Sequence, residues 1–213
     1  YSDLLATIAA RDDVRHSVAE MTDGQVLAAI GAEESHPEGL FAPDTYVMDD
    51  DTRDIDILRR LYLRQKRILA AEWAARAPDL PYKTPYEALI MASIIEKETS
   101  RNDERAQVAG VFVRRMKIGM RLQTDPTVIY GMGEAFRGNI SRKDLRAATD
   151  YNTYRIDGLP PTPIALPSRA SIHAALHPAE GDAIFFVADG KGRHIFSATL
   201  KEHNNAVNKY QRR

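Results

Sequence analysis

The chain has 213 residues, 44% of them hydrophobic, with 29 basic and 30 acidic side chains for a net charge of −1. That length can bury a real core as one domain with at most a small appendage, and the near-neutral charge offers no basic field for nucleic acid. No cysteine is present, which excludes a thiol nucleophile, a disulfide framework and a thiolate metal site.

No apolar run approaches the roughly 20 residues of a membrane span, and the N-terminus lacks a signal-peptide pattern. The first forty residues alternate short helical patterns with breaks: Leu4 to Ala10, Val14 to Ala19, and Gln25 to Gly31. Ser2 or Asp3 and Thr22 or Asp23 are the expected N-caps. Residues 37–51 are rich in Pro, Gly and Asp and read as a connector, with a short strand expected at Tyr46–Met48. A long helix is predicted from Thr52 to Ala77, where Ile55, Leu58, Leu61, Tyr62, Gln65, Ile68, Leu69 and Trp73 follow helical spacing. Its charges, Arg59, Arg60, Arg64, Lys66 and Arg67, read as a solvated face. A basic patch for an anionic polymer is the sharper reading, and the nearby Asp49-Asp50-Asp51 run counts against it.

Pro78, Pro81 and Pro85 punctuate the approach to a helix from Pro85 to Thr99, and another is expected from Asp103 to Lys117, ending at Gly119. Asp125-Pro126 reads as N-cap and first residue of a short helix through Tyr130. The chain is then loop-rich up to Pro167, with Ser141 capping a turn or helix through Leu145. Ser168 to Leu176 returns to helix. Ile184–Val187 and His194–Phe196, separated by Asp189-Gly190-Lys191-Gly192, form a hairpin, and Thr199 to Gln211 is a terminal helix. The fold class is α+β, mostly helical with a small sheet, and there are no internal repeats.

The Pro85–Thr99 helix carries the most informative chemistry. At about 100° per residue, Met91, Ile94, Ile95 and Glu98 share one face, while Glu96 points away beside Leu89, Ala92 and Ser93. A carboxylate among aliphatic side chains is disfavoured, so Glu98 should hold its proton, as a general acid must. The competing reading is a helix-end Glu paired with an Arg or a backbone amide.

Ile94-Ile95-Glu96-Lys97-Glu98-Thr99 fits the pattern around the catalytic acid of goose-type lysozymes and lytic transglycosylases, with Glu98 in the acid position. Downstream come Arg121-Leu122-Gln123-Thr124-Asp125-Pro126-Thr127-Val128-Ile129-Tyr130-Gly131, Tyr151-Asn152-Thr153-Tyr154, Gly158-Leu159-Pro160-Pro161, and Phe186-Val187-Ala188-Asp189-Gly190 leading to His194-Ile195-Phe196. In order and spacing these resemble the YceG-like family, the MltG endolytic murein transglycosylases of bacteria. The likeness is densest from Pro81 to Tyr210, and Glu38–Tyr46 also resembles the segment that precedes the catalytic domain there.

The resemblance implies a lysozyme-like catalytic domain over residues 49–213, preceded by an N-terminal helical appendage over residues 1–48, the remnant of a LysM-like region with its connector. It implies cleavage of the β-1,4 MurNAc–GlcNAc bond within peptidoglycan glycan strands, leaving 1,6-anhydro ends through Glu98 as acid and base. It tilts Gln123, Asp125, Thr127, Tyr151, Asn152 and Tyr154 toward substrate binding, whereas Tyr130 is expected to be packed. By residue type alone the tyrosines could equally be core and Asn152 a turn residue. Asp125 is either a helper to Glu98 or a plain N-cap. Leu159-Pro160-Pro161 and Pro163 should stiffen a loop beside the cleft.

The implied setting is the outer face of the bacterial inner membrane, through an anchor outside this chain, beside glycan-polymerising synthases. Two rivals stay open: a hydrolytic muramidase and a non-catalytic glycan-binding or scaffold module. No cofactor or metal is expected. His173 and His177, four apart, could face one ion, but there is no Glu after His173 and a surface or capping role ranks above it. Gly190-Lys191-Gly192 lacks nucleotide-binding spacing. His194 could hydrogen-bond near the cleft, although a packed strand histidine is the plainer reading.

Overall fold

The computed structural model describes residues 1–45 and 51–211, so the strand expected at Tyr46–Met48 lies outside the described residues. Its first elements are α1 (Ser2–Ala9), β1 (Val14–Arg15), α2 (Asp23–Ile30), β2 (Thr52–Arg53) and α3 (Asp54–Ala74). Next come α4 (Pro85–Glu98), α5 (Arg105–Lys117), α6 (Asp125–Met132) and α7 (Arg169–Leu176). The hairpin strands β3 (Phe185–Ala188) and β4 (His194–Ser197) and the last helix, α8 (Leu200–Tyr210), complete an α+β fold.

Helix α4 is the axis of the molecule. Every residue from Ala88 to Ile95 is buried, as a helix apolar on all sides requires. It packs against α7, α5, α3 and α6. Thr84 caps it by accepting from the Glu87 N–H, with Pro85 in the first turn, where its missing N–H costs nothing. One apolar cluster joins Ile8, Val26, Leu27 and Phe41 to Leu58, Met91, Ile94, Phe112 and Ile172, so α1 and α2 share the core of the later helices. Gly39 locks this junction. Its φ is +85°, and a Cβ there would lie 2.5 Å from the Pro163 ring.

The helical pattern at Val14–Ala19 is not a helix. Val14 and Arg15 instead pair in parallel with Thr52 and Arg53. The Asp54 carboxylate then accepts from the Ser17 and Val18 N–H groups and the Ser17 hydroxyl. A buried carboxylate that captures two backbone donors outcompetes a weak local propensity. The same pairing moves the start of α3 from Thr52 to Asp54. Its end moves from Ala77 to Ala74 because the Ala77 N–H is given to the Leu176 carbonyl of α7. Tyr1, not Ser2 or Asp3, stands at the N-cap position of α1, and its side chain makes no capping bond. Thr22 and Thr199 form capping boxes with Gln25 and Glu202 at the starts of α2 and α8.

The hairpin pairs Phe186 with Phe196 and Ala188 with His194, and α8 lies against it. Its turn is held by Asp189, whose carboxylate accepts from the Lys191 and Arg193 N–H groups. Among the described residues no helix is long and apolar enough to cross a membrane.

Candidate active site

Helix α4 ends at Glu98, where the buried run meets the loop before α6. Glu98 keeps part of its surface open, but burial is the largest influence on its carboxyl and pushes its proton affinity up. Three influences act the other way: the Thr124 hydroxyl, which donates to Oε1, the charge of His194, and that of Arg115. The charge of Asp125 raises it further. The net direction is upward, so the group retains a proton where an exposed carboxyl would have lost it.

Thr124 is itself fixed by buried hydroxyls. Its N–H donates to Thr153 Oγ1 at 3.0 Å, its carbonyl accepts from Thr127 Oγ1 at 2.8 Å, and Thr127 and Thr153 hydroxyls lie 2.8 Å apart. Both Thr127 and Thr153 are 0% exposed. Immediately before Thr124, Gln123 has φ of +50°, a left-handed conformation that costs a non-glycine residue roughly 1–2 kcal/mol. That turn carries the chain from buried Leu122 to buried Thr124 and leaves the Gln123 side chain exposed at the site's rim. Thr124, not Asp125, is the N-cap residue of α6, so Asp125 is released from capping and accepts instead from the Tyr154 hydroxyl at 2.6 Å. Burial, then the hydrogen bond to Asp125, pushes the Tyr154 phenol up and keeps it a neutral donor.

Glu96 occupies the opposite side of the same turn. Its Oε2 accepts from the Ser168 N–H at 2.9 Å, the Ser168 hydroxyl at 2.6 Å and the Ser171 hydroxyl at 2.6 Å, with Arg105 3.6 Å from Oε1. Burial alone would raise its carboxyl, but these donors and Arg105 outweigh it and hold the group below the usual carboxylate range. Glu96 is an ionised anchor for the N-terminus of α7. It is the wrong protonation state for a general acid.

The residues expected to touch substrate divide into two groups. Glu98, Asp125 and Tyr154 come together, with Gln123 beside them. Thr127 and Asn152 lie under the site as supports. Asn152 is 1% exposed, and its Nδ2 donates to the carbonyls of Asp144, Leu145 and Ala147 while Oδ1 accepts from the Tyr154 N–H. Tyr151 is bonded to Thr162 Oγ1 at 2.8 Å and packs on Tyr130, with ring centroids 5.0 Å apart, so Tyr130 is packed as expected. Gly131 lets these rings approach, since a Cβ there would lie 2.9 Å from that of Tyr151. Pro160 and Pro161 wall a groove of about 480 Å³ with Tyr86, Glu87 and Ile90, against the N-terminal half of α4. At 1.5 Å per residue Ile90, the lining residue of α4 nearest Glu98, lies roughly 12 Å along the helix from it.

Sequence reasoning missed Thr124 and Arg115 as site residues. Thr124 lies inside a quoted motif, yet nothing local says that a threonine 26 positions on will meet Glu98. Arg115 looks like an ordinary cation in the last turn of α5. It is 7% exposed and donates to the Leu122 and Ile184 carbonyls, tying α5 to both the α6 loop and the hairpin.

A cluster of metal-ligand side chains lies elsewhere. Ligand atoms of Glu72, His173 and His177 fall within 4.8 Å of one another, and Glu72 is the partner that His spacing alone does not reveal. The two imidazoles are stacked, with centroids 4.2 Å apart and planes at 19°, so their lone pairs run side by side instead of converging. Glu72 is engaged by Arg169 and His173, and the ring nitrogens of His177 lie 3.2 and 2.9 Å from the His173 and Ala75 carbonyl oxygens. His177 is also the C-cap residue of α7.

Comparisons with known proteins place the chain in a family. A Bacillus subtilis protein named endolytic murein transglycosylase is 37% identical over 176 residues, covering 82% of this chain and 48% of its own length. A Streptococcus pneumoniae protein of the same name is 27% identical, covering 80% of this chain and 31% of its own. The chain thus spans about half the length or less of these curated relatives. A crystal structure of a YceG-like protein from Listeria monocytogenes superposes with a TM-score of 0.71 at 33% identity, over 96% of this chain and 66% of that one. The YceG-like family description matches residues 2–209, and the chain belongs to that family.

Proposed function

We propose that this chain is the catalytic part of an endolytic murein transglycosylase that cleaves the β-1,4 bond between MurNAc and GlcNAc inside peptidoglycan strands. One observation carries the reading: of the two carboxyl groups at the end of α4, only Glu98 is held toward its protonated form. Glu98 gives its proton to the glycosidic oxygen as the bond to MurNAc C1 breaks and positive charge develops at C1. The resulting carboxylate takes the proton from the C6 hydroxyl as O6 attacks C1. A 1,6-anhydro ring closes and Glu98 regains its starting state. The attacking hydroxyl belongs to the same sugar, which gives it a large advantage over bulk water.

Thr124 suits both halves of this cycle. Its hydroxyl donates to Glu98 and therefore supports the anion that forms midway. The donor does not reverse the upward shift of the resting acid.

Mass spectrometry of digested peptidoglycan tests the reading. Anhydro-MurNAc ends are expected. Reducing MurNAc ends would replace it with a hydrolytic muramidase, for which Asp125, close enough to act on Glu98 by its charge, is the second carboxylate. Absence of cleavage by the intact protein would leave a glycan-binding module of a wall-synthesis complex. We further propose that the protein works on the extracytoplasmic face of the membrane, held by an anchor outside this chain, beside peptidoglycan synthases. The likeness to the named transglycosylases supports the setting.

A further inference from the structure

The basic face of α3 carries a feature that the cleavage chemistry above does not use. Where α3 meets the start of α7, a depression of about 470 Å³ is lined by Arg64, Arg67 and Arg169, with Asp44 as the one acid among the described residues around it. Arg64 is engaged with Asp44. Arg67 uses Nε on the Leu63 carbonyl of its own helix at 3.3 Å, and Arg169 uses Nε on Glu72 Oε1 at 2.9 Å. Both side chains are exposed, and neither gives its Nη groups to a partner among the described residues.

Gln65 lies at the base of the same depression and is 2% exposed. Its Nε2 donates to the Gly39 and Pro167 carbonyls at 3.2 and 2.9 Å. Those two carbonyls fix which end of the amide is the donor, because a flipped amide would set oxygen against oxygen. Oε1 is thereby left as a buried acceptor without a donor. An aliphatic side chain would fill the same place without that penalty.

Arg169 also walls a second depression, of about 420 Å³, together with Asn102, Arg105, His173 and the acid Glu72. Arg105 is 8% exposed, its Nε has no partner, and Glu96 is the acid beside its Nη2. Asn102 belongs to the loop that leaves Glu98, so the two depressions lie side by side between that loop and α3, at the N-terminus of α7. A ligand here needs an anion for the guanidinium forks, a donor for Gln65 and an acceptor for Arg105. Sugar hydroxyls answer the last two and not the first. An acidic peptide, with carboxylates, amide N–H groups and carbonyls, answers all of them.

We propose that these depressions seat the stem peptide of the strand being cut, with peptide carboxylates at Arg67 and Arg169 and a peptide N–H at Gln65 Oε1. The assignment rests on the transglycosylase reading for its substrate, since the stem peptide hangs from the MurNAc whose bond Glu98 breaks. It makes the basic face of α3 a selector for strands that still carry peptides.

The tests use the intact protein. Calorimetry on the Glu98→Gln protein with N-acetylated stem tetrapeptide should show binding that weakens about tenfold when the peptide carboxyls are amidated. Adding Arg67→Ala and Arg169→Ala should weaken it by about the same factor. Both arginines are exposed, and an unchanged melting transition checks that the fold persists. No binding, equal binding of acidic and amidated peptide, or binding indifferent to the arginines would overturn the assignment. So would displacement of the peptide by an equal concentration of inorganic phosphate or of a glycerol-phosphate polymer, which would make this a general anion site. Cleavage gives a second readout: removing both arginines should narrow the preference for peptide-bearing over peptide-stripped strands about tenfold in kcat/KM, mostly through KM. A preference that is absent from wild type, or kept by the variant, also refutes the site. If wild-type protein cleaves neither strand while the peptide still binds through the arginines, the transglycosylase reading fails and the peptide site stands.

Discussion

At the last turn of α4 two carboxyl groups two residues apart meet different walls. Glu96 faces the N-terminus of α7, where one backbone N–H and two serine hydroxyls converge on a single oxygen and Arg105 stands behind the other. Glu98 faces the α6 loop, where one threonine hydroxyl is the donor and the remaining influences are more distant charges of both signs. Burial raises both groups. Glu98 is buried more deeply, and the donors and Arg105 around Glu96 outweigh its burial while the single donor at Glu98 does not. A carboxylate supplied with three hydrogen bonds becomes part of the scaffold, and one supplied with a single bond keeps a proton to give.

Isosteric exchange is the strongest way to break this comparison. Glu98→Gln should reduce strand cleavage by at least about a thousandfold while the far-UV spectrum and melting cooperativity persist, because the change removes the titrating proton and little volume. Glu96→Gln should leave substantial cleavage but cost about 1–3 kcal/mol of stability, since an amide cannot accept all three donors without turning its own NH2 toward one of them. An inactive Glu96→Gln protein beside an active Glu98→Gln protein would reverse the assignment.

The two groups should also respond oppositely to pH in folding. Glu98 is raised in the folded state, so its contribution is full below its unfolded value and is lost as pH rises through the folded one. Glu96 is lowered, so its contribution is present above its unfolded value and is lost as pH falls through the folded one. Glu98→Gln should therefore gain stability relative to wild type between acid and neutral pH, and the deficit of Glu96→Gln should shrink as pH falls below about 4. Denaturant titrations at both ends of that window check the signs. Parallel trends in the two variants would remove the donor argument.

A smaller effect sharpens the Glu98 side alone. Thr124→Val keeps the shape of the side chain and deletes the donor that lowers the carboxyl's proton affinity. The alkaline limb of the pH–rate profile should move upward, and the rate on its plateau should fall about 10-fold because the midway anion loses a charge-assisted bond. Movement of the limb to lower pH would mean that Thr124 stabilises the neutral acid instead.

Much of this was legible before the fold. The 3.6-residue spacing around Ile94 and Ile95 places Glu98 and Glu96 on different faces, and their fates follow from that separation. Helix starts at Thr22, Ser168 and Thr199 carry side-chain caps that the residue types announce. What stays hidden depends on long-range meetings. Val14–Ala19 has helical residues, but its backbone belongs to Asp54, 37 positions from Ser17. Thr127 and Asn152 have the chemistry of sugar contacts and the burial of supports, and burial is not written in a single sequence. Arg115 and Glu104 read as helix-end charges until the hairpin, some seventy to ninety residues later, arrives to use them.

The smallest expected effect concerns the histidine pair on the α7 side of the molecule, where Glu96 anchors the helix. Chelation with EDTA should leave strand cleavage unchanged, and zinc added to treated protein should restore nothing. The argument is geometric. Ligation asks two imidazole lone pairs to converge on one ion about 2.0–2.1 Å away. Here the rings are stacked nearly parallel at 4.2 Å, and the carboxylate that would complete the set is already shared with Arg169. Binding would require one ring to rotate out of the stack and His177 to give up contacts that cap α7 and reach the end of α3. Activity lost on chelation and recovered with zinc, and abolished recovery in His173→Ala, would show that this rotation occurs. The face bearing Glu96 would then contribute more to function than an anchored helix terminus.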